Sequence, residues 1–363
     1  MGTVDTSHKP DIKLHGSTFS EEIKFYLKNY EMTQKELAMR LGLSTKHINS
    51  ILNNDIVDVS VSVLEGLEYA FRLDTGILTT VYNIYSNMKL AKMSNNIEDQ
   101  LKNFGLNFII EHPELSSPFD ICINEDMPVH MKLMLLKKFY GVTSLSDYNE
   151  YLKEHVLAEN TKFENKANSY IWIRFCELSV EYDKFQKYGI GVFRKGLFNA
   201  VIKRVLNIMS NSNLDFNSKV KELKNYLLSK GIILVTKPFI HNSNIRGITL
   251  KKGGKRYIFL SDMYHTESYI FFALLHELVH CYYSEYTEDQ IDERVIKEYK
   301  TWEVSNNTNY KNIYDAIHSY EQCRTMKQKD PKTDVSYIWD LLQDKYPFVG
   351  FEMIDSDEEV INV

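Results

Sequence analysis

The spacing of apolar residues along the chain changes near residue 231. Over most of the region from Thr18 to Ser229, apolar side chains recur every three to four positions, as on one face of a helix. Beyond it, short apolar runs cover 232–235, 245–250 and 257–260, and the last two flank the turn sequence Lys-Lys-Gly-Gly at 251–254. Helical spacing resumes at Thr266. We therefore predict a mainly α-helical protein with a small β-sheet, an α+β fold.

Helix breakers and capping residues set the ends of several predicted helices. Pro128 stands at a favoured first-turn position, and Gly141 stops the helix that it opens. Ser144 and Asp147 have the spacing of a capping box for the next helix. Further helices are predicted over residues 167–185, 193–209 and 216–229, and Gly231 ends the last of these.

Length and composition exclude several classes of protein. A chain of 363 residues, 44% apolar and 25% charged, has the material for two compact units. No run approaches the ~18 uninterrupted apolar residues of a membrane helix, and residues 1–16 are polar where a signal peptide would be apolar. The cysteines stand far apart without a CxxC pair, which is typical of free thiols in a reducing compartment (Cys122, Cys176, Cys281 and Cys323). We expect a cytoplasmic protein without membrane contact.

The densest local pattern lies between Met32 and Asn53. Thr33 and Glu36 form a capping box ahead of a short amphipathic helix, Gly42 marks a sharp turn, and Ser44 caps a second helix. One face of each helix is apolar and predicted to be buried (Leu37, Ala38, Leu41, Ile48, Ile51 and Leu52). Two helices joined by a short turn that contains glycine form the helix-turn-helix arrangement.

The outward face of the second helix suits the major groove of double-stranded DNA. Short polar side chains near the start of such a helix reach base edges, and Gln34 can bond a phosphate. The predicted DNA-binding residues are Gln34, Ser44, Thr45, Lys46, His47, Asn49, Ser50 and Asn53. Residues 18–75 hold six Lys or Arg against nine Asp or Glu, a formal −3, so few phosphates can be neutralised and useful affinity requires a homodimer. With the chain's net charge of −6, this predicts specific operator binding and argues against non-specific coating.

A second pattern, His276-Glu277-Leu-Val-His280, lies in an apolar segment that is predicted to be a buried helix. Side chains at positions i and i+4 project from the same face, so both imidazoles can bind one ion. The carboxylate of Glu277 can then reach a water molecule at the metal and act as its general base. Buried imidazoles beside a buried carboxylate are costly unless a cation pairs with them. The pattern predicts one Zn²⁺, with two histidine ligands and Glu277 as the catalytic residue.

Zinc requires a third protein ligand, and two carboxylates on the following helix are candidates. A capping box at 287–290 predicts the start of that helix. Glu298 and Asp292 fall at opposite edges of its apolar stripe (Ile291, Val295 and Trp302). We rank Glu298 first and Asp292 second.

Two resemblances to known families follow from these patterns. Residues 18–75 resemble the Cro/C1-type (XRE) helix-turn-helix domain, through Thr-Gln-x-x-Leu-Ala-x-x-Leu-Gly at 33–42. The C-terminal half resembles the ImmA/IrrE family of zinc metallopeptidase-like domains, through the HExxH sequence and the segments 136–143 and 245–249. That resemblance implies that His276, Glu277 and His280 act as ligand, general base and ligand. The two modules occur together in regulators described as HigA-type antitoxin-like or phage-repressor-like.

The second resemblance also bears on the third ligand. The family takes it from a glutamate four positions before an aromatic residue, which corresponds to Glu298 and Trp302. The small residue and the Asp or Asn that accompany this glutamate in the family are missing here, as is the following Leu-(Ile/Met)-Pro. Residues 305–363 have no counterpart in the family.

The resemblances imply a domain organisation and a function. The expected segments are a loose N-terminus (1–16), a helix-turn-helix domain (17–76), a helical connector (77–215), a zincin-like domain (216–345) and an acidic tail (346–363). The expected function is that of a DNA-binding transcriptional regulator whose metallopeptidase-like domain cleaves or senses a protein partner, a repressor or a toxin. Two alternatives remain open: an active metallopeptidase that cleaves a separate repressor, and an antitoxin with a catalytically inactive zinc fold.

Overall fold

The computed structural model describes residues 12–53, 58–93, 97–157, 166–182, 190–243, 245–306, 311–330 and 332–352. These residues are mainly helical and include a three-stranded mixed sheet, which confirms the predicted α+β class. The helices are α1 (Phe19–Asn29), α2 (Gln34–Leu41), α3 (Thr45–Leu52), α4 (Val61–Ala70), α5 (Ile77–Met93), α6 (Ile97–Asn103), α7 (Leu106–Glu111), α8 (Pro113–Ser116), α9 (Val129–Tyr140), α10 (Leu145–His155), α11 (Lys166–Tyr182), α12 (Phe198–Met209), α13 (Phe216–Ser229), α14 (Glu267–Tyr282), α15 (Glu288–Asn306), α16 (Lys311–Lys329) and α17 (Ser336–Lys345). The strands are β1 (Ile232–Lys237), β2 (Gly247–Lys252) and β3 (Lys255–Ser261). None of the helices in the described ranges has both the length and the apolar character that a membrane crossing needs.

Contacts between residues divide the chain into two compact units. The first comprises residues 1–101 and 123–136, and the second comprises 102–122 and 137–363. This division assigns α5 to the first unit and α10 to α13 to the second. The segment predicted as a connector, 77–215, is therefore shared between the units instead of forming a body of its own.

The first unit is a bundle in which α1 to α5 enclose one apolar core (Phe19, Ile23, Leu37, Ile48, Leu67, Phe71, Leu78 and Val81 among others). Gly42 joins α2 to the turn before α3 with φ +66°, in the left-handed region that favours glycine. The side chains of Thr33 and Ser44 cap α2 and α3, as predicted. Both helices of the predicted helix-turn-helix are therefore present.

The N-terminal segment 1–16 is predicted to be loose, but its described part, residues 12–16, is bound to α1. The carboxylate of Glu22 accepts hydrogen bonds from the backbone amide of His15 at 2.8 Å and lies 2.7 Å from its Nδ1. The imidazole stacks on Phe25 with 3.9 Å between ring centroids. Residues 12–16 are thus anchored to α1, and residues 1–11 lie outside the described part of the chain.

The sheet of the second unit has the order β1-β3-β2, with β1 parallel and β2 antiparallel to the central β3. Gly253 and Gly254 connect β2 and β3 with φ of +51° and +80°, which confirms the hairpin predicted at 251–254. The six residues of β1 are all buried. β2 lies at the edge of the sheet, and the amide of Leu157 donates to the carbonyl of Thr249 at 2.9 Å.

Helix α14 forms the centre of the second unit. It contacts β2, β3, α12, α15 and α16, and every residue from Ser268 to Tyr282 is buried. The helix begins because Thr266 caps it, with the amide of Tyr269 donating to the Thr266 hydroxyl at 3.3 Å. The predicted capping box that starts α15 is also present, since Thr287 and Gln290 exchange hydrogen bonds of 3.0 and 3.4 Å.

Residues beyond 305 add a layer to this unit. Helix α16 packs on α14, and the buried carboxylate of Asp262 accepts a hydrogen bond from the amide of Phe351 at 2.8 Å. Residues 346–352, predicted as part of an acidic tail, are therefore tied to the turn before α14. Residues 353–363 lie outside the described part of the chain.

Candidate metal centre

Three side chains bring potential metal ligands to one point. His276 and His280, one turn apart on α14, are each 2% exposed, and their Nε2 atoms are 3.0 Å apart. Glu288, the first residue of α15, places one carboxylate oxygen 3.1 Å from Nε2 of His276 and the other 3.5 Å from Nε2 of His280. The three donor atoms lie within 4.8 Å of one another. The two predicted histidines thus converge at a position that could hold a metal ion.

The hydrogen-bond partner of His276 fits this role. Nδ1 of His276 lies 2.6 Å from a carboxylate oxygen of Asp292, the partner to which it donates its proton. With its proton on Nδ1, His276 can offer Nε2, the atom that faces His280 and Glu288, to a metal. Nδ1 of His280 is buried without a hydrogen-bond partner among the described residues. Two imidazole nitrogens that face each other beside a carboxylate form a donor set that a divalent cation satisfies.

Asp292, the second-ranked candidate ligand, lies behind His276. Burial raises the pKa of its carboxyl, but the hydrogen bonds with His276 and Tyr320 and the nearby positive charges together outweigh burial and hold the pKa below its ordinary value. The Tyr320 hydroxyl, from α16, also hydrogen-bonds to this carboxylate. Asp292 is therefore ionised and fixed, and it orients His276 instead of joining the three converging donors.

Glu298, the first-ranked candidate ligand, does not lie with the three converging donors. Its carboxylate is 2.8 Å from a guanidinium nitrogen of Arg294, and the group of converging donors does not include it. Sequence reasoning missed Glu288, although this residue directly follows Thr287 in the capping box that predicts the start of α15. A carboxylate in the first turn after an HExxH helix and a short loop was the signal that could have found it.

The predicted general base, Glu277, faces the edge strand. The Thr249 hydroxyl of β2 lies 2.8 Å from a carboxylate oxygen of Glu277 and 3.0 Å from its backbone carbonyl. A Cβ atom at Gly247 would come within 2.7 Å of Cγ of Glu277, so the close approach of β2 requires glycine at this position. The carboxylate, which follows His276 directly in the chain, is thus held against β2 and is not one of the three converging donors.

Arg246 is a further residue of the centre, and the sequence pattern predicts no role for it. Its Nη2 atom lies 3.1 Å from Nδ1 and 3.3 Å from Nε2 of His276. Burial lowers the pKa of the guanidinium. The neighbouring Tyr269 hydroxyl and three carboxylates together raise this pKa by more than burial lowers it, so Arg246 stays charged. The centre therefore contains a fixed cation of its own.

The predicted DNA-contacting residues lie largely on the surface of the first unit. Most of them are exposed, whereas His47 and Ser50 are half-buried (exposed: Gln34, Ser44, Thr45, Lys46, Asn49 and Asn53). The Ser50 hydroxyl donates to the carbonyl of Lys46 at 3.1 Å, within α3 itself. The opposite face of α3 is buried in the core. The outward face of α3 is thus polar, as predicted.

Comparison of the chain with family models, with curated proteins and with solved structures finds no match. Function is therefore inferred from the side chains and their arrangement.

Proposed function

We propose that the protein is a zinc-dependent, peptidase-like hydrolase joined to a helix-turn-helix DNA-binding unit, and that it acts as a transcriptional regulator. The observation that carries the hydrolase half is the convergence of His276, His280 and Glu288 on two helices, one of which also carries Glu277, whose carboxylate Thr249 holds in place. Two histidines and one glutamate are the ligands of catalytic zinc sites that leave a coordination position open. The presence of Glu277 at this place favours an active site over an inactive zinc fold.

Each residue of the centre has a separate role in peptide hydrolysis. A bound zinc ion would supply a Lewis acid, which polarises a carbonyl group and makes water a better nucleophile. Glu277 takes a proton from the attacking water molecule as the water oxygen bonds to the carbonyl carbon. The same carboxyl returns that proton to the departing amine as the C–N bond breaks. Thr249 holds the carboxylate of Glu277 in position, and Asp292 holds the ring of His276.

The metal content of the purified protein tests this proposal. We expect about one zinc ion per wild-type chain and none in His276→Ala, because two donors hold zinc too weakly to survive dialysis. His318→Ala is the matched control, since His318 is exposed on α16 and belongs to no converging group of donors in the described chain. Wild-type protein without stoichiometric metal, or equal zinc in wild type and His276→Ala, would contradict the proposal.

The DNA-binding half of the proposal is supported by the outward face of α3. Ser44 caps the helix with its hydroxyl, which fixes the first turn, and Lys46 and Asn49 point to solvent from that end of the helix. Arginine, lysine and asparagine side chains in this position read base edges in the major groove. The acidic charge of the unit limits phosphate contacts, so we propose a homodimer bound to an operator with two half-sites.

Replacing both Lys46 and Asn49 with Ala should weaken binding to DNA that the wild-type protein selects from a random pool. Each lost base contact costs about 1–3 kcal/mol, so the affinity of the double variant should fall at least about 30-fold. Lys28→Ala, an exposed lysine on α1, should change it little. Footprints should show half-sites about 34 Å apart. Unchanged affinity of a folded double variant would refute the assignment of α3.

A further inference from the structure

A positively charged side chain lies against the metal donors. Arg246 precedes β2, and its Nη2 atom is almost equally distant from the two ring nitrogens of His276, at 3.1 and 3.3 Å. An atom this close to both nitrogens in the plane of the ring would collide with the carbon between them, so Nη2 lies over the ring face. The guanidinium is therefore adjacent to the ligand atoms without competing for their lone pairs.

The surroundings of Arg246 fix its position and preserve its charge. The guanidinium donates a hydrogen bond to the hydroxyl of Tyr269, on α14, and the carboxylates of Asp292, Glu277 and Glu288 are close enough to attract it. A fixed cation at this place opposes the binding of a metal cation. A guanidinium in this position is well suited to bind an oxygen that carries negative charge.

We propose that Arg246 is a catalytic residue that binds the carbonyl oxygen of the scissile peptide bond. This inference rests on the proposed hydrolase function. As the water oxygen bonds to the carbonyl carbon, the π electrons of the carbonyl group move to its oxygen, and Arg246 donates hydrogen bonds to that oxygen. The electrons return when the C–N bond breaks, and the amine leaves with the proton that Glu277 took from water. Arg246 keeps its proton throughout.

The proposal predicts opposite effects of one substitution on two affinities. Arg246→Gln removes a charge that repels the metal, so zinc should bind more tightly, by about tenfold even if the repulsion is screened as in water. The same variant should bind a dipeptide phosphonate about 10- to 100-fold more weakly, because a charged hydrogen bond to its tetrahedral, negatively charged oxygens is lost. Imidazole, a neutral metal ligand, should keep its affinity.

Titrations of the full chain with zinc alone, and of the zinc-loaded chain with the phosphonate or imidazole, measure these effects. Arg246→Lys retains the charge, so its zinc affinity should stay near that of wild type and part of its phosphonate affinity should remain. Tyr269→Phe removes a hydrogen bond that holds Arg246 and should lower phosphonate affinity less than Arg246→Gln does. Arg294→Gln, whose arginine pairs with Glu298, is the control for loss of an arginine elsewhere.

The outcomes separate this inference from the proposed function. If the wild type binds zinc, and wild type and Arg246→Gln bind the phosphonate equally well, the role of Arg246 is overturned and the hydrolase proposal stays intact. Equal losses of phosphonate and imidazole affinity would also overturn it, since they indicate a general disturbance of the metal centre. If wild type binds no zinc and Arg246→Gln does, Arg246 takes the place of the ion and both proposals fail.

Discussion

Glu277→Gln should leave zinc binding intact and lower peptide hydrolysis by about 10²- to 10⁴-fold, the usual contribution of a positioned general base. The amide keeps the shape of the side chain and can still meet the Thr249 hydroxyl, which lies 2.8 Å from the carboxylate in wild type. It cannot accept a proton from water. The loss should therefore appear in kcat, with the zinc content and the thermal unfolding temperature unchanged. A fluorescent peptide library serves as substrate until the natural one is known.

The control for this prediction is Glu285→Gln. Glu285 lies three residues after the end of α14, the helix that carries Glu277. Its carboxylate is exposed and 3.7 Å from Lys195, so removing its charge should not affect hydrolysis. Hydrolysis by wild type that persists in Glu277→Gln at a comparable rate would remove Glu277 from the mechanism. Wild type that binds zinc and cleaves no member of the library would favour the alternative in which the zinc fold only binds a partner.

Features of the fold that depend on neighbouring residues in the chain could be predicted from the sequence. The hairpin at Gly253 and Gly254 is one, because consecutive glycines supply the positive φ that a tight turn demands. The HExxH pair is another, since the helical repeat alone brings His276 and His280 to one face. Capping boxes at Ser144 and Thr287 likewise operate within four residues.

Features that depend on how elements pack could not be predicted in the same way. Periodicity placed Asp292 and Glu298 at the edges of the apolar stripe of α15, but it cannot say which turn of that helix faces His276. The short loop between α14 and α15 brings the first turn of α15 to the histidines, so Glu288 reaches both Nε2 atoms. Glu298 lies almost three turns further along the helix and pairs with Arg294 instead. Arg246 was missed for the same reason, since its partner is 30 residues away.

Residues 305–352 show a further limit of sequence reasoning. The resemblance to ImmA/IrrE domains offers no counterpart for them, and their sequence pattern predicts no role. In the structure, α16 covers α14, and the Tyr320 hydroxyl reaches Asp292, the residue that orients His276. The C-terminal segment therefore supports the candidate metal centre, and neither local periodicity nor family resemblance contains that information.

Substitutions of the three carboxylates on α15 should rank their roles in metal binding. Loss of a hydrogen-bond partner behind a metal ligand costs about 10- to 100-fold in affinity. Asp292→Asn should fall in that range, because the amide holds His276 less well. Glu288→Gln should lose more, at least about a hundredfold, since it removes a charged ligand as well as the attraction to the ion. Glu298→Gln should bind zinc as wild type does, because its carboxylate is paired with Arg294.

Zinc affinity measured by competition with a chelator, with circular dichroism to confirm that each variant is folded, decides among these assignments. The comparison is sharp because the three residues share one helix and undergo the same chemical change. A loss in Glu298→Gln that exceeds the loss in Glu288→Gln would restore the ligand favoured by the family resemblance. It would also mean that α15 shifts relative to α14 when the metal binds, because Glu298 lies almost three turns beyond Glu288 and is paired with Arg294.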